Sequence, residues 1–313
     1  MTQPLPALLC FGEALTDMII QPDGRWLSRP GGAPWNVARI LAGWGLPAAF
    51  AGAVSRDCFG DTLLTASRDA GLDLRYLQQV AASPLLAMVY STQPPQYFFV
   101  GDRSADLHFD AAKLPPGWPQ AARWALFGGI SLARPPLADH LLAQARHLKA
   151  AGVRIAYDPN FRVAMDAGYD DMLRQMVALA DVVKVSDEDL TGLFRHHDQA
   201  AALATLRQWN PQAWVLYTRG AAGAQLYVDD AAWQLAPPAV AVVDTVGAGD
   251  ASMAGLLASL WQAPQATVAQ HLAAAVASGS AACGVAGAAI PPQATVAGLL
   301  ADLLPAVQQS SQV

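Results

Sequence analysis

Short apolar runs that close on Gly, Asp or Asn alternate with longer stretches of helical periodicity along most of this chain. Arg123 to Phe127, Arg154 to Tyr157, Val182 to Val185 and Ala213 to Tyr217 read as strands, with Leu137 to Ala150 and Tyr169 to Ala180 as helices among them. Repeated strand–helix units bury their apolar faces when helices flank a mostly parallel sheet, so the fold class is α/β. Ligands in such sheets gather at the carboxyl ends of the strands. Asp17, Asp158, Asn160, Ser186, Thr218 and Asp250 all read as lying just past strand ends.

Two stretches interrupt the alternation. Met18 to Arg29 reads as a hairpin turning at Pro22-Asp23-Gly24, and Leu85 to Val100 as another turning near Gln93-Pro94-Pro95. Leu8 to Gly12 reads as a buried first strand rather than the core of a signal peptide, since no basic flank precedes it and Glu13 follows quickly. Ala266 to Ile290 is apolar enough to raise the question of a membrane span, but Gln270, His271, Ser278 and Ser280 interrupt it, so a buried helix packed through small residues is the expectation. The polar tail from Gln308 to Val313 is expected to fray.

With 313 residues, 53% hydrophobic and only 14% charged, the chain can bury one large core or two ordinary ones. A net charge of −6 without any Lys/Arg block argues against nucleic acid or an anionic membrane as the main partner. Cys10, Cys58 and Cys283 are odd in number and far apart, which suggests neither a disulfide framework nor a zinc site and fits a cytoplasmic protein.

Chemistry concentrates in Asp244-Thr245-Val246-Gly247-Ala248-Gly249-Asp250, where Ala239 to Val243 reads as a strand and Ala251 onward as a helix. Amides at a helix start have no intrahelical partner and carry partial positive charge, so phosphate oxygens can sit there; the glycines allow close approach. Asp250 would then reach a substrate hydroxyl as proton acceptor, or else simply cap the helix. A helix N-terminus lowers the basicity of such an Asp, which a loose phosphoryl-transfer transition state tolerates because the proton moves late. Gly31-Gly32-Ala33-Pro34-Trp35-Asn36-Val37-Ala38 likewise puts two glycines before a helix, with an amide in its first turn.

These two segments, in this order and roughly 210 residues apart, resemble the paired signatures of the ribokinase (PfkB) family of carbohydrate kinases. The resemblance runs from Leu8 to about Leu304 and includes Gly12 to Asp17, Arg103-Ser104-Ala105-Asp106-Leu107, Asp158-Pro159-Asn160-Phe161-Arg162, Ala180 to Leu190, and Thr218-Arg219-Gly220-Ala221-Ala222-Gly223-Ala224. Several of these are most similar to fructokinases. It implies a single ribokinase-like domain over residues 1–313, with a small β lid built from inserts at about 14–34 and 85–105.

The resemblance further implies that Asp250 and the Gly247-Ala248-Gly249 turn are catalytic, and that Asp17, Gly31, Gly32, Asn36, Arg103, Arg162 and Asp250 face the sugar. ATP would be met by Asn160, Lys184, Thr218, Arg219, Gly220, Gly223, Gly247, Gly249, Cys283 and Gly287. Asp189 would order water around Mg2+, although the motif reads Ser186-Asp187-Glu188-Asp189 and lacks its first amide; backbone oxygens near Asp244 and Val246 and the Gly284 to Gly287 loop would take K+. Relatives also use the lid as a homodimer contact. Structural readings stand beside these: Asp17 as a turn former, Asn36 as a helix cap, Arg162 in an internal salt bridge, and Lys184 and Arg219 as solvated surface charges.

The implied activity is ATP-dependent phosphorylation of a primary hydroxyl, of fructose first. Trp35 departs from the small residue usual in fructokinases, so ribose, 2-keto-3-deoxygluconate and nucleosides such as aminoimidazole riboside stay open as substrates. A non-catalytic sugar or nucleotide sensor on the same fold is the reading from another class. An NAD-dependent dehydrogenase fares badly, because Phe11-Gly12-Glu13-Ala14 follows the first strand without G-x-G-x-x-G, and no P-loop occurs.

Overall fold

Leu8 to Phe11 are all buried, Leu8 and Cys10 against one helical layer and Leu9 and Phe11 against the other. A strand buried on both faces belongs at the centre of a parallel sheet. The computed structural model, which describes residues 4–92 and 95–311, puts it there. The strands are β1 (Leu8–Phe11), β2 (Leu15–Ile20), β3 (Trp26–Gly31), β4 (Ala48–Ser55), β5 (Leu77–Val80), β6 (Leu86–Thr92), β7 (Pro95–Val100), β8 (Trp124–Gly128), β9 (Arg154–Asp158), β10 (Val182–Ser186), β11 (Trp214–Thr218), β12 (Ala224–Val228), β13 (Ala231–Leu235) and β14 (Gln308–Ser311). The helices are α1 (Ala33–Gly43), α2 (Cys58–Asp69), α3 (Trp118–Ala121), α4 (Leu137–Ala150), α5 (Asp170–Leu179), α6 (Asp187–Phe194), α7 (Gln199–Trp209), α8 (Ala248–Gln262), α9 (Val268–Cys283) and α10 (Gln293–Leu303).

A ten-stranded sheet runs β14-β13-β12-β11-β10-β9-β8-β1-β4-β5, parallel from β5 to β11 and antiparallel beyond. One core layer packs α1, α2, α8, α9 and α10 on the sheet, and the other packs α4 to α7. Chain order reverses at β1, which lies between β4 and β8, and a crevice at such a switch point is where this architecture binds ligands. The fold is ribokinase-like, with a second, mixed sheet of order β3-β2-β6-β7 as the lid.

The strands and helices expected between Arg123 and Tyr217 fall within a residue or so of their ranges, α8 begins three residues before the expected Ala251, and both hairpins form. The second turn, at Gln93 and Pro94, lies outside the described residues. Two expectations fail. Ala239 to Val243 is not a strand; it follows Pro237-Pro238, leaves Val242 and Val243 exposed, and its Val243 amide bonds only to the Cys283 carbonyl (2.8 Å). The tail does not fray through Ser311, because β14 pairs antiparallel with β13. Ala266 to Ile290 is the buried α9 and its exit loop. Small residues on both helices let α8 and α9 approach closely, since a Cβ on Gly255 of α8 would strike the Ser278 hydroxyl and one on Gly279 of α9 the Ser252 hydroxyl. No helix among the described residues is long and apolar enough to cross a membrane.

Candidate active site

Asp17 does not sit at the end of β1. The chain turns at Gly12, whose φ of 149° an L side chain rarely adopts, and Asp17 lies within lid strand β2 in register with Arg29 and Ala87. Its carboxylate occupies the space a side chain at Gly31 would need, with Oδ2 2.5 Å from a Cβ built there. Gly32, at φ 116°, packs equally close to the Glu13 carbonyl. The two glycines therefore bring lid, β1 exit and α1 together.

Asn36 is buried on α1, and its Nδ2 donates to Asp250 Oδ2 at 2.8 Å. Its Oδ1 is buried and has no hydrogen-bond partner among the described residues. Buried acceptors are rarely left so, which marks Oδ1 as a place for a ligand donor. Asp250 is the third residue of α8, after Gly247 at φ 81°. The Ala248 amide turns back to the Thr245 carbonyl (3.2 Å), while the amides of Gly249 and Asp250, in the first turn of α8, have no intrahelical acceptor.

Burial raises the Asp250 carboxyl above its ordinary value, outweighing the Asn36 bond and the positive charges of Lys184 and Arg162. The lowered basicity expected from the helix terminus is thus reversed. Asp17 is pushed up to about 6, chiefly by burial; Arg162 opposes the shift and Asp250 adds to it. These mutual effects put Asp17, Arg162 and Asp250 in one electrostatic neighbourhood.

Lys184 is the charged residue in an otherwise apolar strand. Alternation puts it on the same face of β10 as Val182, toward α8, where its Nζ lies 3.1 Å from a Cβ built on Gly249. It is buried, not a solvated surface charge, and pairs with Asp158 (3.2 Å) and Asp189 (3.8 Å). Burial works against its charge, but Asp158, Asp189 and Asp250 together outweigh it and hold the ammonium's pKa above the ordinary lysine value. Asp189 accepts from the amides of Ser186 and Phe161 (both 2.7 Å), closing the capping box of α6. Asp158 Oδ2 is paired with Lys184 by charge but accepts no hydrogen bond.

Arg162 donates to the Asn160 and Phe161 carbonyls and to Asn160 Oδ1, and lies 5.9 Å from the ring of lid residue Tyr97. Arg103 sits exposed in the turn after β7. The cation that meets the buried carboxylate of this corner is instead the half-buried Arg134, which pairs with Asp106 and donates to the Gly101 carbonyl and to Ser104 Oγ (3.0 Å). Glu13 accepts from Ser131 Oγ at 2.8 Å and is raised to about 7 by burial. Sequence reasoning missed both Glu13 and Arg134. A lone carboxylate next to an apolar strand was the only trace of the first.

The Thr218 to Gly223 loop, after β11, closes through Arg219 N–H to the Gly223 carbonyl (2.8 Å), and Gly220 and Gly223 take φ of 50° and 88°. Arg219 lies 5.8 Å from the Tyr217 ring, its Nε buried without a hydrogen-bond partner among the described residues. Asp244 Oδ1 accepts from Val246 N–H (3.1 Å) and Oδ2 from Gly287 N–H (2.9 Å), while the Cys283 carbonyl takes the Val243 amide. Val246 is exposed.

The model of the pfkB family carbohydrate kinases matches residues 6–295. The chain belongs to that family. This carbohydrate kinase is fructokinase-like: it is 32% identical to a fructokinase of Klebsiella pneumoniae over 256 residues, 80% of this chain and 83% of that one. It superposes on the aminoimidazole riboside kinase of Salmonella enterica, solved with aminoimidazole riboside and an ATP analogue, with a TM-score of 0.83 at 28% identity (94% and 99% of the chains). A double mutant of Vibrio cholerae fructokinase, in its fructose, ADP and potassium-bound form, gives 0.82 at 27% identity (96% and 100%).

Proposed function

We propose that this pfkB kinase transfers the γ-phosphoryl group of ATP to a primary hydroxyl of fructose. The observation that carries the reading is the orphaned Asn36 Oδ1 beside an Asp250 whose carboxyl is raised by burial. An unpaired acceptor and two carboxylates, Asp17 and Asp250, suit a ligand that presents several hydroxyl donors. Asp250 takes the proton of the attacking hydroxyl, and Asn36 fixes which of its oxygens is presented. The amides of Gly249 and Asp250 face the charge that develops on the transferring phosphoryl oxygens.

Magnesium fits this donor set as an ion held mainly by phosphate and water. Among the described residues no group of three or more His, Cys, Asp or Glu side chains forms a cage, Asp189 is committed to backbone amides, and Asp158 keeps one oxygen without a hydrogen bond. When bound with ATP the ion would neutralise charge on the β- and γ-phosphates. Potassium, named in the Vibrio cholerae structure, would meet backbone carbonyls here, beside a turn that Asp244 holds through the Val246 and Gly287 amides.

A nucleoside such as aminoimidazole riboside is the second reading. Phe99 stands in register with Ala87 and so with Asp17, which gives the inner lid face an aromatic pair with Tyr97, ring centroids 5.6 Å apart. On the opposite lid face Trp26, Phe98 and Val100 are exposed, and a homodimer formed through the lid would cover them; light scattering on the purified protein tests that arrangement. ADP production across fructose, ribose, 2-keto-3-deoxygluconate, inosine and aminoimidazole riboside tests the substrate. Fructose giving the highest kcat/KM supports the proposal. A higher value for aminoimidazole riboside moves the assignment to the second reading, and no turnover with any acceptor favours a sensor.

A further inference from the structure

Trp35 and Arg39 stand four residues apart on one face of α1. Trp35 is fully buried, its Nε1 donating to Ser67 Oγ at 2.9 Å, and the Arg39 guanidinium lies 4.4 Å from its ring centroid. That stacking partly offsets the cost of taking a cation out of water, and Arg39 Nε is buried without a hydrogen-bond partner among the described residues. Arg39 Nη1 reaches across 249 residues of sequence to the Ala288 carbonyl, at 3.4 Å. The same flank of α1 meets the following residues too: Ile290 packs on Gly43, and Trp44 Nε1 donates to the Pro291 carbonyl at 2.9 Å.

Ala288 in turn backs the turn that precedes Asp250. A Cβ on Gly247 would lie 3.0 Å from Ala288 Cα and Cβ, and the neighbouring Gly287 amide is held by Asp244. The contacts close a ring: Asp250 to Asn36, along α1 to Arg39, across to Ala288, and back through Gly247 to Asp250. We infer that Arg39 is a positioning residue that seats the 287–291 segment against Gly247 and so fixes the amides of Gly249 and Asp250 toward the phosphoryl group. The inference rests on the kinase reading for its consequence, though not for the contact itself. Preset amides need no reorganisation when charge develops, so a loosened seat shows on the nucleotide side of the reaction.

Arg39→Met keeps the stem on Trp35 and removes the guanidinium. Two measurements apply, steady-state KM for ATP and for sugar, and amide hydrogen exchange at Gly287. We expect the ATP KM to rise by on the order of tenfold, sugar KM to stay within about twofold, and Gly287 exchange to quicken by a similar order. Arg39→Lys, which restores a donor and a charge, should recover part of the ATP effect; should Arg39→Met not fold, Arg39→Lys is compared with wild type alone. An unchanged ATP KM overturns the inference, as do ATP and sugar constants that move together. A wild-type protein without kinase turnover would overturn the kinase reading instead, and unchanged exchange at Gly287 would then overturn the linkage by itself.

Discussion

The Asn36 amide donates to Asp250 Oδ2 across 2.8 Å although 214 residues separate the two in sequence. This bond joins the first glycine-rich segment to the second and so, on the proposed function, the sugar side of the site to the phosphoryl side. It leaves Asn36 Oδ1 without a partner among the described residues and, on the proposed mechanism, orients the carboxylate that would take the proton.

Replacing Asp17 or Asn36 by Ala therefore weakens the sugar much more than ATP. Each loss of a buried partner to a hydroxyl costs about 1–3 kcal/mol. Calorimetric titration of each ligand measures the split; a larger loss for ATP would mean that the two halves of the pocket are reversed.

Glu13 gives the site a pH signature. Its carboxyl is raised from 4.5 to about 7 by burial, so the folded state binds its proton more tightly than the unfolded state does. That contribution to stability is complete below about pH 4.5 and is lost as pH rises through about 7. Glu13→Gln, which mimics the protonated acid, should be more stable than wild type at pH 8 by about 1–3 kcal/mol and no more stable near pH 4. Urea unfolding at the two pH values measures this, and an unchanged difference between them would contradict it.

How far the sequence disclosed the site follows from what each residue's chemistry advertises locally. Gly31-Gly32 with Asn36, and Gly247 to Asp250, are legible because turns, amides and carboxylates at helix starts have few other uses. Lys184 carried a weaker mark, a charge in the middle of Val182-Val183-Val185, which only the three-dimensional structure turns into a buried partner of Asp158 and Asp189. Arg134 with Asp106 left no local trace, since the pair forms across 28 residues and two loops. The segment Ala239 to Val243 is apolar, but it bridges β13 to α8 instead of joining the sheet and leaves Val242 and Val243 exposed.

Lys184→Met removes the cation that pairs with Asp158 and Asp189. Breaking a buried ion pair from one side costs about 3–5 kcal/mol. Adding Asp158→Asn should return part of that stability, and thermal denaturation of the single and double variants reads the difference. A double variant less stable than the sum of the two single changes would count against this arrangement.

Potassium should accelerate turnover relative to sodium and tetramethylammonium at fixed ionic strength, through carbonyls around the Asp244 to Gly247 turn and the Gly284 to Gly287 loop. Equal rates in the three buffers would show that the Asp244 carboxylate alone, bonded to the Val246 and Gly287 amides, orders this turn.

Asp250→Asn is the most direct test of the central claim. The amide keeps the size of the carboxylate but cannot take a proton, so turnover with fructose, followed as ADP produced, should fall by about 10²–10⁴-fold. Calorimetric affinities for fructose and for ATP should stay within about tenfold of wild type, since the lost interaction belongs to the transition state. Turnover close to wild type with both ligands still bound would show that Asp250 is not the proton acceptor, and the mechanism built around it would fall.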